Sequence, residues 1–106
     1  MLVQINTDNN IQGREELARE VEAKVQAKLG DRFGERLTRV EVHLGDENST
    51  RKGGGADKRC LLEARPAGLQ PIAVSHRAET MTLAVDGALD KFKRALGSAF
   101  GKQKEH

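Results

Sequence analysis

Residues 80–96 read TMTLAVDGALDKFKRAL, the clearest helix in the chain. Met81, Val85, Ala88, Leu89, Phe92 and Leu96 recur at steps of three and four. At roughly 100° per residue they fall on one apolar stripe. Ala99 and Phe100 extend that stripe if the helix survives Gly97. Thr80 suits the N-cap, because its hydroxyl can accept from a free amide of the first turn. Lys91, Arg94 and Lys102 fall on one flank of the stripe, and Asp86, Asp90 and Lys93 on the other. One helix thus carries an apolar face for a core and a basic edge for an anionic partner.

Working outward, the strand before this helix is IAVSHR, residues 72–77, and PAGLQP, 66–71, makes the turn that leads into it. Gly68 can supply a positive φ there. RCLLEAR, 59–65, is a further strand. TRVEVHL, 38–44, is the cleanest: Val40, Val42 and Leu44 point one way, Arg39, Glu41 and His43 the other. Between these two strands, Gly45 to Lys58 is polar, glycine-rich and without periodicity, so it reads as a flexible loop. Near the N-terminus Leu2 to Asn6 alternates as a short strand. Arg14 to about Phe33 forms the first helix, with Leu17, Val21, Val25 and Leu29 climbing at steps of four. Glu15 and Glu16 suit its positive end. GKQKEH, 101–106, reads as a short frayed tail. The order β-α-β-β-β-α predicts an α+β domain spanning 1–106: a two-layer sandwich in which two helices cover one face of a four-stranded sheet.

Composition narrows the chemistry. The 106 residues include no Trp, no Tyr and only three Phe, so the core is aliphatic. Charged residues make up 32%, yet the formal net charge is only +2, so any nucleic-acid role depends on where the cations sit. Cys60 is the single cysteine, which excludes an intramolecular disulfide and fits a reducing compartment. No stretch resembles a signal peptide or a membrane span, so the expected location is the cytoplasm.

Several motifs carry little. His43, Cys60 and His76 lie on different strands at spacings that match no paired-ligand pattern, so no metal and no cofactor is expected. Strand parity puts Cys60 with Leu62 and Ala64, as a small core residue. KGGGADK lacks the Gly-Lys-Ser/Thr and the helix that a phosphate loop requires. Asp46, Glu47, Glu63 and Glu79 are scattered, and no spacing argument pairs two of them for acid–base work. The chain therefore does not read as an enzyme; a site of His43, Glu63 and His76 is the form one would take.

The basic residues are more informative. Lys24 and Lys28 lie one turn apart on a flank of the first helix, as Lys91, Arg94 and Lys102 do on the last. With the helices side by side, these flanks could face each other across a basic groove. Phosphates can be held by such cations without an aromatic platform. The lack of Tyr and Trp disfavours base stacking on single strands, so a folded RNA read by shape is the better fit.

The order of elements, the length and the segment IAVSHRAETMTLAVDGALDKFKRAL together resemble the ribosome hibernation-promoting factor family, which includes the ribosome-associated inhibitor once described as a sigma-54 modulation protein. The similarity covers Leu2 to about Lys104. Met81, Ala84, Val85, Asp86, Leu89, Asp90, Lys91 and Arg94 match the family's final helix, and Lys24 and Lys28 in AKVQAKL match its paired lysines. Departures are Thr82, where the family usually has Tyr, and the long polar loop 45–58. The resemblance implies a non-enzymatic stress factor that binds the small ribosomal subunit, occupies the cleft used by messenger RNA and tRNA, and inhibits translation. It also implies that Lys24, Lys28, Lys91 and Arg94, with Lys93 and Lys102 beside them, contact ribosomal RNA phosphates. Pairing of ribosomes through the C-terminal domain of the long family members is not expected of this chain, and a free monomer is the default expectation. The alternative is a protein-interaction module of the same fold that does not bind ribosomes, a reading motivated by the near-balanced charge and the atypical loop 45–58.

Overall fold

A computed structural model of the protein describes residues 1–8, 11, 13–46 and 57–104, with side chains through Gly101. Its elements are β1 (Leu2–Thr7), α1 (Arg14–Phe33), β2 (Leu37–Asp46), β3 (Lys58–Pro66), β4 (Ile72–Ala78) and α2 (Met81–Lys104). The four strands form one sheet in the order β1-β2-β3-β4. β2, β3 and β4 are an antiparallel meander, while β1 pairs in parallel with β2, as a strand joined to its neighbour through a helix must.

Alternation decides which face is covered. Val40, Val42 and Leu44 of β2 stand directly opposite Ala64, Leu62 and Cys60 of β3, and all six are buried. Against this inner face α1 lays Val21, Val25, Leu29 and Phe33. From α2 come Ala84, Val85, Ala88, Leu89, Phe92, Leu96 and Phe100. Full burial of a residue such as Phe92 contributes roughly 1.5–3 kcal/mol. The half-buried Val3 and Ile5 of β1, and Ile72 and Val74 of β4, close the core at its edges. This is the two-layer α+β sandwich that the sequence predicts, with no helix on the second sheet face among the described residues.

Local chemistry explains the boundaries. The Thr80 hydroxyl accepts a hydrogen bond from the Leu83 amide at 3.1 Å and so caps α2. Gly68 takes φ 74° in the turn after β3. Two expectations need correction. Residues 101–106 are not a frayed tail through their length: the helix survives Gly97, the condition on which Ala99 and Phe100 extend its stripe, and runs to Lys104. A mid-helix glycine costs about 1 kcal/mol relative to alanine, but burial of Phe100 beyond it repays that cost. At Gly97 a Cβ would stand 3.3 Å from Nη2 of Arg32, so the small residue also admits the neighbouring helix's side chain. The loop expected over 45–58 is shorter at both ends, because Gly45, Asp46 and Lys58 belong to the β2–β3 ladder. There Lys58 Nζ donates to Asp46 Oδ1 at 3.2 Å. The rest of that loop, 47–56, lies outside the described residues.

Candidate nucleic-acid interface

α1 and α2 lie side by side and run in the same direction. Lys24 meets Asp86, Arg32 meets Gly97 and Phe33 meets Phe100, so the contacts advance together along both helices. This register places each cation that the sequence singles out. Lys24 Nζ donates to Asp86 Oδ1 at 2.9 Å across the helix–helix seam. Both side chains are more than a third exposed, so the pair is weak as a stabiliser. It does neutralise Lys24 locally. Lys28, one turn on, is exposed and makes no ion pair or hydrogen bond among the described residues. On α2, Arg94 is also exposed and has no ion pair or hydrogen bond among the described residues. Lys93, two turns beyond Asp86 on the same side, is half-buried. Lys91 is on the far side: its Nζ donates to the Ser75 carbonyl of β4 at 2.9 Å. Lys102 lies in the last turns of α2, with its side chain outside the described residues.

A groove with Lys24 and Lys28 facing Lys91 is therefore not formed. The flank of α2 turned toward α1 carries Asp86 and Gly97, and Lys91 turns toward β4. Of the cations that the sequence singles out, Lys28 and Arg94 are exposed and make no ion pair among the described residues.

Two further cations escaped the sequence reading. Arg32, in the last turn of α1, stacks over the Phe33 ring at 4.9 Å from its centroid. Arg36, just past the helix, stacks over Phe100 at 4.6 Å. The two rings stack on each other, with centroids 5.8 Å apart and planes 20° apart. The signal was present in the spacing: Lys24, Lys28, Arg32 and Arg36 continue one series of four. Gly30 and Gly34 obscured it by making the helix end uncertain.

The open sheet face carries different chemistry. Glu41 and Glu63 stand directly opposite in the β2–β3 register, an unfavourable pairing of like charges. Arg39 offsets it, with Nη2 3.2 Å from Glu41 Oε1 and a further hydrogen bond to Gln4. His43 Nε2 lies 3.0 Å from Glu63 Oε1. Glu41, His43 and Glu63 thus bring three potential ligand atoms within 4.8 Å of one another, a proximity that only the strand register creates. Cross-strand pairing accounts for the arrangement. His76 does not join it, because its ring lies on the inner side of β4 against Gly87 of α2. The His43, Glu63 and His76 constellation is thereby split across the two faces of the sheet. Cys60 is fully buried, and burial pushes its thiol up to about 12, which keeps it protonated and unreactive at neutral pH. Among the described residues no helix is long and apolar enough to cross a membrane.

Comparison with known proteins follows the same lines. The profile of the family described as sigma 54 modulation protein / S30EA ribosomal protein matches residues 3–104. No curated protein matches the chain. Among solved structures, the N-terminal domain of protein Y from Thermus thermophilus is similar at 18% identity and a TM-score of 0.67, covering 90% of this chain and 94% of its own. A ribosomal subunit interface protein from Coxiella burnetii is similar at 16% identity and a TM-score of 0.68, covering 92% of this chain and 96% of its own.

Proposed function

The chain belongs to the sigma 54 modulation protein / S30EA ribosomal protein family, and on that footing we propose that it is a non-enzymatic, cytoplasmic factor that binds the small ribosomal subunit and inhibits translation under stress. In this reading it enters the cleft used by messenger RNA and tRNA as a monomer and holds ribosomal RNA through basic side chains. The observation that carries the proposal is the family match over nearly the whole length. The helical layer supplies a means. Exposed Lys28 and Arg94 are free to meet phosphates directly, and Lys24, Lys91, Lys93 and Lys102 are auxiliary. Lys24 must exchange Asp86, and Lys91 the Ser75 carbonyl, before either meets a phosphate.

Sedimentation of the protein with ribosomes through sucrose at low and high salt tests this. Co-migration with the small subunit at low salt and release at high salt is the expected result, since each phosphate contact displaces counterions. Lys28→Glu with Arg94→Glu should weaken co-migration at least about tenfold while leaving the fold intact, because both side chains are exposed. Binding equal to that of the wild type would remove these two residues from the interface. The neutralisation of Lys24 by Asp86 favours a second reading, a protein-interaction module of the same fold. Protein that stays at the top of both gradients would support it.

A further inference from the structure

We propose that Arg32 and Arg36 form a built RNA-phosphate site at the shared end of α1 and α2, where the series begun by Lys24 and Lys28 ends. The proposal rests on the ribosome-binding reading above and assigns it a contact point. Arg32, Phe33, Arg36, Gly97, Phe100 and Gly101 line a cavity of about 200 Å³ there. The guanidinium carbon of each arginine sits over a phenyl ring, at 4.9 Å from the Phe33 centroid for Arg32 and 4.6 Å from that of Phe100 for Arg36, and the two rings stack on each other. Phe33 and Phe100 are themselves 2% and 4% exposed, so the platform is fixed in the core.

This arrangement differs in kind from a surface lysine. A guanidinium held against a ring has already lost much of its rotamer freedom, so less is lost when it meets a ligand. Its N–H edges stay available for a forked contact with two phosphate oxygens. No carboxylate uses those edges: among the described residues neither arginine side chain makes an ion pair, although Asp31 and Glu35 are their exposed sequence neighbours. The negative end of α1 accounts for a cation in its last turn, but it supplies only about half a charge. It cannot neutralise two arginines. Gly97 and Gly101 leave the α2 side of the cavity without side-chain bulk. Two arginines lining one small cavity put positive charge and forked donors where a phosphodiester could be held. The protein lacks Tyr and Trp platforms, and here buried phenyl rings orient arginines instead.

The test compares wild type, the double variant Arg32→Gln with Arg36→Gln, and the double variant Arg32→Lys with Arg36→Lys, each checked for native circular dichroism. Ribosome co-sedimentation is measured over a salt series. The Gln pair should lower affinity at least about tenfold and flatten the slope of log K against log salt by about 1.4 to 1.8, the share of two phosphates. The Lys pair should keep the slope and lose several-fold in affinity, because an ammonium keeps the charge without the planar fork. Unchanged affinity and slope in the Gln pair, with wild type bound, overturns the site and leaves the function standing. If wild type itself does not sediment with ribosomes, the function reading fails. The site is then decided by titrating a short RNA hairpin into labelled protein and following the side-chain Nε–Hε signals of Arg32 and Arg36. Salt-sensitive shifts confined to these signals support the site; their absence overturns it.

Discussion

His76 lies on β4, and its imidazole packs against the backbone of α2 at Gly87, where a Cβ would fall within the ring's van der Waals envelope. The glycine is there for proximity, since its φ is not positive. Alanine at this position gains up to about 1 kcal/mol of helix propensity and loses about 1–3 kcal/mol to overpacking. Gly87→Ala should therefore destabilise the protein, and His76→Ala introduced beside it should recover most of the loss. Urea unfolding of both single variants and the pair measures this coupling. Equal cost of Gly87→Ala with and without the His76 ring would show that the contact is not the cause. Legibility at this scale followed periodicity. The burial of Cys60 could be read from strand parity with Leu62 and Ala64. Gly87 could not be understood from the sequence, since its partner is on another element. Arg32 and Arg36 were missed because their helix end, between Gly30 and Gly34, could not be located.

Each helix advertises its buried face, but the angle at which it turns its remaining sides to its neighbours depends on the layer as a whole. The stripes of α1 and α2 and the alternation of β2 were legible because 3.6- and two-residue periods are local properties. The rotation of α2 that turns Asp86, not Lys91, toward α1 is not a local property, and so the expected basic groove was drawn on the wrong flank. Asp86 now sets the electrostatics of the seam. Asp86→Asn removes the carboxylate opposite Lys24 and should change stability by less than about 1 kcal/mol, as exposed pairs do. It should also tighten ribosome co-sedimentation several-fold at low salt, by freeing a cation beside Lys28. Tighter binding locates the seam near RNA. Unchanged binding would place the RNA beyond the reach of Lys24.

For the molecule as a whole, topology ranks the strands. β2 and β3 each have a strand on both sides and residues at or near zero exposure. β1 has one strand neighbour, only half-buried apolar side chains, and the exposed Leu2. Its parallel pairing with β2 closes over the whole of α1, so little is local about the contacts that hold it. Native proteins open in cooperative pieces, and the pieces with least burial open most often. Amide hydrogen exchange should therefore begin at β1, while the paired amides of β2 and β3 persist until global unfolding. Uniform protection across the sheet would contradict this order. The parallel strand thus gives the protein a hierarchy in time: a first segment that breathes on its own, over a meander and a capped helix that let go only together.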